Sequence, residues 1–519
     1  MNRSSSLQNH INSFRKYISP TLGNEKPLCK LISTGTNYYL YDSATNKLMK
    51  CEFLEYEILK HLLEYGVDVE PTRFIEKYGI TKFEKAVKGI EAAVKAENVL
   101  KLNKFHSFGI SHSYEEVIDK ITNNLKMIHL EVTNKCNLNC QYCVFNENTN
   151  VEQRKHGNLF MNTQFAFAAV DYLVAHSSKC GEVCIGFYGG EPTLNMPLIH
   201  KTVEYAKGLI KQKKLRFTIT TNATLITEEI AKFFYKEDFA VMVSLDGPKH
   251  IHDLWRIDHS HKGSYHRTMS GLKKLLKTFK NKEHKIGFSI VYAPPYSEEK
   301  LSEIEGFFYQ SHLMPEISTL NITYPVRASI SVDHILKYRL YEEDYSLMDW
   351  ARKRYLSNYP NRLDQNPLAK TIVDRELVRL VKRPLFDKPL NKIHLNGCCI
   401  PASRKLFVTV SGTLRLCERV CDAPEVGHVK DGVILDTIKR VYLEEYSKKS
   451  IENCSQCWIA RLCDICYAQV FTDFIFDPVR KKELCDHKRR SFENKLVFLC
   501  SLMEKDRNGL EYLNSHILS

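Results

Sequence analysis

The stretch Glu131-Val-Thr-Asn-Lys-Cys136-Asn-Leu-Asn-Cys140-Gln-Tyr-Cys143 decides how this chain is read. It overlaps the apolar run Met127 to Thr133, whose residue types predict a strand. Its cysteines follow a C-x3-C-x2-C spacing. Three thiolates so close on one loop can hold three irons of a [4Fe–4S] cluster, for which cysteine is the usual ligand. No fourth cysteine joins the run, so the fourth iron is left open to another ligand, as a catalytic zinc keeps one position open. The bland readings are a zinc knuckle or three buried cysteines. A zinc site usually shows paired C-x2-C or Cys/His spacings with a fourth ligand, and no such partner stands nearby.

The spacing, with aromatic Tyr142 before the last cysteine, resembles the signature of radical S-adenosylmethionine (SAM) enzymes. The resemblance implies that Cys136, Cys140 and Cys143 are the catalytic cluster ligands. It also implies that the open iron takes the amino and carboxylate groups of SAM, and that Tyr142 belongs to the cofactor site.

The bulk composition supports a folded, metal-rich protein. A length of 519 residues suggests about three domains, and 43% hydrophobic residues are enough for buried cores. No apolar run reaches the roughly 18 residues of a membrane span. The N-terminus, Met1 to His10, lacks the apolar core of a secretory signal, which predicts a cytoplasmic protein. Of 17 cysteines, nine lie between Cys398 and Cys485. In a reducing compartment such crowding reads as metal binding before disulfides. The formal charge of +13 would be lowered by anionic clusters; on charge alone it reads as a solvated basic surface, with an acidic partner as the alternative. No dense basic block with interleaved aromatics is present, so nucleic acid is not expected as a partner.

Along the chain, residues 1–27 read as a mobile tail. In residues 28–110, Tyr38–Asp42 and Lys47–Cys51 read as strands around the turn residues Ser43 to Asn46. Helices are expected at Phe53–Tyr65, Pro71–Lys77 and Lys82–Ala96, and a returning strand at Lys101–Phe105. This arrangement resembles the winged-helix-like peptide-recognition domain of enzymes that modify ribosomally made peptides. The alternative is an unrelated α+β cap.

Residues 111–330 alternate. Strands are expected at Met127–Thr133, Cys184–Tyr188, Arg216–Thr221, Ala240–Leu245, Lys285–Tyr292 and Thr319–Tyr324. Helices are expected at Thr163–Ala175, Pro197–Lys211, Thr227–Tyr235, Tyr265–Lys277 and Glu298–Gln310. The fold class is therefore α/β with a parallel sheet. Its six units resemble the partial (β/α)6 TIM-like barrel of radical SAM enzymes. The cysteine loop follows the first strand, at the carboxyl edge where α/β sites lie. Residues 331–397 read as a helical bridge, with helices at Ile335–Leu356 and Ala369–Val381. Residues 491–519 carry a C-terminal helix, whose pattern starts at Arg490 and runs to Glu504.

Three further strand ends carry cofactor candidates. Phe187-Tyr-Gly-Gly-Glu-Pro-Thr193 matches the family's GGEP motif, so Gly189, Gly190, Glu191 and Pro192 are expected at the SAM amine. Consecutive glycines let a backbone approach a ligand, and a carboxylate accepts from an ammonium. Thr221 and Asn222 follow, with Ala223 where the family more often has glycine. By resemblance, Ser244 and Arg256 bind the SAM carboxylate, for which a hydroxyl and a guanidinium are suited. The bland reading of Arg256 is a surface ion pair.

The cysteine field Cys399-x12-Gly412-x4-Cys417, Cys454-x2-Cys457-x5-Cys463-x2-Cys466, Cys485 resembles the SPASM domain, over residues 398–490. That domain holds two auxiliary [4Fe–4S] clusters, making three clusters in all. The resemblance gives Cys454, Cys457, Cys463 and Cys485 to one auxiliary cluster. It gives Cys399, Cys417 and Cys466 to the other, with Cys398 or Cys421 as a fourth ligand or the position left open. The family has three residues between the last close pair, where this chain has two. A zinc ribbon is the alternative, but it leaves Cys399, Cys417 and Cys485 unexplained. Cys29, Cys51, Cys180, Cys184 and Cys500 read as small buried hydrophobes.

Together these features resemble radical SAM/SPASM peptide maturases that put thioether crosslinks into Cys-rich precursor peptides, of the sactipeptide or ranthipeptide kind. The resemblance implies an oxidoreductase that uses a 5′-deoxyadenosyl radical. Its partners would be a precursor peptide with a leader and a reductant such as flavodoxin or ferredoxin. The rivals are an anaerobic sulfatase maturase forming formylglycine, a peptide epimerase or carbon–carbon crosslinking enzyme, and a non-catalytic iron–sulfur protein.

Overall fold

The computed structural model describes residues 26–65, 71–110, 112–146, 155–309, 319–325, 329, 330, 334, 337, 346–359, 367–394, 399–419, 422–506 and 508–515. The expected tail lies outside the described residues, apart from its last two positions.

The chain begins with an antiparallel sheet of β1 (Cys29–Ser33), β2 (Tyr38–Asp42) and β3 (Lys47–Cys51), in that order. β1 is not assigned in the sequence reading. Its five residues do not alternate cleanly, and pairing with β2 from Cys29↔Asp42 to Ser33↔Tyr38 makes it a strand. Buried Asp42 closes the β2–β3 turn. Its carboxylate accepts from Thr45 N at 2.8 Å and Thr45 Oγ1 at 2.7 Å, and from the distant Leu100 N at 2.9 Å. Asn46 takes the left-handed φ of 60° that asparagine tolerates in turns.

Helices Phe53–Tyr65, Pro71–Tyr78 and Ile80–Glu97 follow. Ile58, Leu62, Phe83, Val87 and Ile90 bury their apolar faces with Leu40 of β2. Ile32, Tyr39 and Tyr41 belong instead to the main core. Tyr41 meets Trp458 edge-on at 6.1 Å, and Arg461 Nε donates to Ser43 O at 2.7 Å. Lys101–Phe105, expected as a strand, is irregular, and the short strand β4 forms at Ser107–Gly109. Leu102 and Phe105 spend their backbone groups on non-sheet partners, Leu28 N and Ser455 O.

The central sheet starts at β5 (Met127–Thr133) and continues with β6 (Glu182–Gly189), β7 (Lys214–Thr221), β8 (Ala240–Ser244), β9 (Ile286–Val291) and β10 (Leu320–Thr323). All five pairings are parallel, and the strands lie in sequence order. Each strand adds to the same edge, as in a barrel. A doubly wound sheet would reverse its order. Side chains alternate as a strand requires. Ile128, Leu130 and Val132 are fully buried in one core with Ala166, Ala169, Val170 and Leu173 of helix Thr163–Ala175. Each large apolar side chain so buried stabilises the fold by about 1.5–3 kcal/mol. The residues between them, His129 and Glu131, are polar.

The bridge helices Leu347–Asn358 and Pro367–Val381 are joined by buried Arg352 and Glu376, 2.6 Å apart. Most of the first half of the expected helix Ile335–Leu356 lies outside the described residues. β11 (Lys392–His394) then pairs in parallel with β4.

The cysteine-rich segment adds a strand that the sequence reading does not assign. β12 (Lys405–Val408) pairs in parallel with β5, from Lys405↔Met127 to Val408↔Leu130. It covers the β5 edge, which would otherwise present unpaired backbone groups. Antiparallel β13 (Thr413–Arg415), β14 (Gly427–His428) and β15 (Gly432–Val433) extend the sheet further. Gly412 makes the β12–β13 turn at φ 89°, where a Cβ would meet His428 Nε2 at 2.6 Å.

The last long helix runs Pro478–Lys505, starting well before the expected Arg490. Asp477 caps it, accepting from Val479 N and Arg480 N, and Pro478 takes the first position that suits proline. Cys485 therefore stands on this helix. No helix among the described residues is long and apolar enough to cross a membrane.

Replacing Asp42 with alanine strands the Thr45 and Leu100 amides. An unsatisfied buried donor costs about 1–3 kcal/mol. Hydrogen exchange is expected to show these two amides losing protection, with the β5–β8 amides unchanged. Unaltered protection would remove Asp42 from its role as the clamp of this turn.

Candidate functional site

The loop Asn134–Asn146 has no regular structure beyond one bridge, Leu138↔Asp258. Neighbouring strand ends hold it from two sides. On one side, Asn139 N donates to Ile257 O at 2.7 Å and Gln141 N to Trp255 O at 2.9 Å. On the other, Gly190 N donates to Thr133 O and Glu191 N to Lys135 O, both at 2.9 Å. A Cβ on Gly189 would meet Thr133 O at 2.1 Å, and one on Gly190 would meet Lys135 O at 2.2 Å. The double glycine thus lets β6 touch the base of the cysteine loop. This packing role is additional to the ligand approach expected from sequence.

Cys136, Cys140 and Cys143 form no disulfide and are half-buried. Burial pushes the Cys140 thiol up to about 12, offset by the Arg256 charge, and the neighbouring Cys143 also raises it. Cys136 is raised well above its ordinary range, by burial and then by Glu191. Cys143 Sγ lies 3.4 Å from His156 Nε2. Such thiols bind iron only by giving up their protons, so the metal's charge must replace them. Three softened thiolates on one fixed loop suit an iron–sulfur cluster.

Glu191 does not present its carboxylate outward. It is buried, and Oε1 accepts from Thr193 N at 3.1 Å, Thr193 Oγ1 at 2.6 Å and Thr221 Oγ1 at 2.7 Å, while Oε2 accepts from Asn222 N at 2.7 Å. Burial raises this carboxyl, and those donors pull it back. Glu191 therefore ties β6 to β7. Pro192 opens the short helix Pro192–Asn195 beneath it. Asn222 Nδ2 donates to Asn137 Oδ1 at 2.9 Å, and Asn137 Nδ2 to Thr224 Oγ1 at 2.8 Å, so the β7 end also grips the cysteine loop. Ala223 takes the left-handed φ of 59° that a glycine would adopt without strain.

Asp246 is a residue that the sequence reading passed over. Its buried carboxylate accepts from Tyr142 Oη on the cysteine loop, and from Val291 N at 2.9 Å at the end of β9. It also accepts from Arg256 Nε at 2.9 Å and Nη2 at 3.2 Å. Arg256 is 7% exposed and lies 5.4 Å from the Tyr142 ring centre, so its ion pair is internal. His252 supports the turn. Burial lowers it to about 4, and its Nδ1 accepts from Asp246 N at 3.4 Å. Its Nε2 then faces Ser264 Oγ at 3.0 Å, which donates to Arg256 O at 2.7 Å. Ser244 is half-buried at the end of β8, opposite Ser289. The signal for Asp246 was available: an acidic residue in Ser244-Leu-Asp-Gly247, at a strand end, ten residues before an arginine.

In the C-terminal field, Cys454, Cys457, Cys463 and Cys485 line one cavity, with Lys481 and Phe108. Burial pushes Cys454 up to about 11 and Cys463 to about 12. Among the described residues no three His, Cys, Asp or Glu converge as they would on one metal ion. These four cysteines surround a space instead. Cys417 lies close enough to Cys466 for that neighbour to raise it, after burial and Glu418. Cys399 is exposed. Cys398 and Cys421 lie outside the described residues. Cys51, Cys180, Cys184 and Cys500 are buried and Cys29 half-buried. Glu418 joins this field to β5, 2.6 Å from Lys405 and 3.6 Å from His129.

Comparison with known proteins follows this geometry. The chain is 28% identical over 312 residues to an uncharacterised protein of Methanocaldococcus jannaschii, covering 60% of this chain and 91% of that one. It is 32% identical over 157 residues to a cysteine-type anaerobic sulfatase-maturating enzyme of Clostridium novyi, covering 29% of this chain and 40% of the enzyme. The fold is similar to the solved structure of native anSMEcpe with bound AdoMet and Cp18Cys peptide. That likeness has a TM-score of 0.53 and 20% identity, over 76% of this chain and all of the other. Residues 130–308 match the radical SAM superfamily. The matched segment contains the cysteine loop and both carboxylates that hold it, so this part of the chain is a radical SAM domain.

Proposed function

We propose that this enzyme installs thioether crosslinks, cysteine sulfur to carbon, in a ribosomally made Cys-rich precursor peptide in the cytoplasm. One observation carries the reading: the four-cysteine cavity, lined by Cys457, Ile459, Ala460 and Cys463, lies in the segment on which the N-terminal sheet packs, with Tyr41 against Trp458 and Ser43 accepting from Arg461. A leader bound to residues 28–110 would thereby be tethered close to the C-terminal cysteine field. Tethering raises the effective concentration of the core peptide.

In this reading Cys136, Cys140 and Cys143 hold a [4Fe–4S] cluster. Gly189, Gly190, Thr221, Asn222 and Ser244 form the wall around SAM. When bound, cluster and SAM supply a 5′-deoxyadenosyl radical that takes hydrogen from carbon. The chain's own part is to bind, orient and exclude water. Glu191 and Pro192 seat the end of β6. Tyr142 and Asp246 fix the Arg256 guanidinium, which would then bind the SAM carboxylate. Cys454, Cys457, Cys463 and Cys485 hold a second cluster, and Cys399, Cys417 and Cys466 a third, with Cys398 or Cys421 as the candidate fourth ligand. Clusters held there would supply an acceptor for the electron released as carbon and sulfur join. A flavodoxin or ferredoxin supplies the reducing electron.

A second reading, an anaerobic sulfatase-maturating enzyme, is supported by the similarity to the Clostridium novyi enzyme. A quarter of this chain lies outside the match to the anSMEcpe structure, which is covered in full, and this surplus favours a separate substrate-binding unit.

Two measurements test these assignments. Arg256→Lys keeps the charge but loses the fork on Asp246, so it is not conservative there. Asp246→Asn weakens the same pair from the other side. Both are expected to weaken SAM binding about tenfold or more by calorimetry, with iron content intact. Normal SAM affinity in both variants would return the pair to a purely structural role. For the reaction, a Cys-rich precursor is incubated with reduced enzyme and SAM, then alkylated and weighed. A product two hydrogens lighter per bond, lacking one alkylatable thiol, is expected. Loss of two hydrogens with every thiol still free would sink the thioether in favour of another crosslink. A formylglycine product would establish the second reading.

A further inference from the structure

Lys481 is 2% exposed, and no mechanism step above uses it. Among the described residues it pairs with no carboxylate. Its one hydrogen-bond partner is a sulfur, Cys454 Sγ at 3.7 Å. The ammonium is boxed by the rings of Tyr446 at 5.6 Å, Phe476 at 5.7 Å and Phe108 at 5.9 Å. One turn further along the same helix comes Cys485, and one turn beyond it Arg489, whose Nη1 lies 3.8 Å from Cys457 Sγ. Residues four apart share a helix face, so two cations and a cysteine look toward one cavity.

A buried, unpaired cation is costly unless an anion meets it. For the Lys481 ammonium only cysteine sulfur stands ready to supply that anion among the described residues, whereas Arg489 also pairs with Asp486 at 2.5 Å. Reducing a thiolate-held cluster by one electron adds negative charge to an anionic group. Nearby positive charge and N–H···S hydrogen bonds favour that step and raise the potential. The carboxylates beside both cysteine sets are matched, Asp464 by Lys488 at 2.6 Å and Asp486 by Arg489 at 2.5 Å here, and Glu418 by Lys405 at 2.6 Å beside Cys417, which leaves Lys481 as the cation at this site that no carboxylate among the described residues offsets.

We propose that Lys481, assisted by Arg489, makes the Cys454–Cys457–Cys463–Cys485 site the more readily reduced of the two auxiliary positions, and so the place where an electron leaving the peptide comes to rest. The proposal rests on the cluster ligands assigned above. Lys481 is a positioning residue, acting through the sulfurs.

The test is a dithionite titration, followed by electron paramagnetic resonance, of the reconstituted full-length chain carrying Cys136→Ala, Cys140→Ala and Cys143→Ala. Only C-terminal signals then remain. Lys481→Met is expected to move one transition to lower potential and leave the other in place, with iron content unchanged. Lys481→Arg is expected to restore it. Arg489→Gln, at a more exposed residue, is expected to give a smaller shift in the same direction. Unchanged potentials in Lys481→Met at full iron content would overturn the proposal. Should Lys481→Met lose iron, an unshifted Arg489→Gln overturns it instead. A chain with no reducible C-terminal iron would refute the ligand assignment itself, and the proposal with it.

Discussion

The site depends on holding an irregular loop rigid from outside. The Asn134–Asn146 segment cannot satisfy its own backbone, and two buried carboxylates organise the ends that hold it. Glu191 gathers four donors from the ends of β6 and β7. Asp246 gathers Tyr142 of the loop, Val291 of β9 and the Nε–Nη2 edge of the Arg256 guanidinium. Leaving any of these buried partners unmatched would cost more than the bond contributes when made. That asymmetry makes the arrangement close to all-or-none.

The same logic extends outward. β12 carries the C-terminal field onto the free edge of β5, one strand from the cysteine loop. The N-terminal sheet spends one face on its own helices and the other on that field, so its attachment is part of the core. The three regions are thus coupled by strands and ring contacts.

Much of this was legible in the sequence, and the exceptions have physical causes. The β5 to β10 strands read correctly because apolar alternation and flanking turns are local signals. The cysteine spacing and Gly189-Gly190-Glu191-Pro192 are local too. What Glu191 and Arg256 touch is not. A strand-end carboxylate looks the same in sequence whether it faces a ligand or its neighbours, and only the fold turns it inward. β1 and β12 are strands by virtue of long-range partners, Asp42 to Tyr38 and Met127 to Leu130. Lys101–Phe105 has strand-like residues, but Leu102 and Phe105 spend their backbone groups on Leu28 and Ser455. The start of the last helix was readable from Asp477-Pro478, yet its polar first turns, Arg480 to Lys488, hide the apolar stripe that begins later at Phe492.

The central claim is that the loop held by Glu191 and Asp246 is where SAM is cleaved. The most direct measurement is 5′-deoxyadenosine formed by the reduced, anaerobically reconstituted chain, with and without Cys136→Ala, Cys140→Ala and Cys143→Ala. The account predicts no 5′-deoxyadenosine from the triple variant, which should keep about two-thirds of the iron of a three-cluster chain. Formation of 5′-deoxyadenosine at the unaltered rate would contradict it.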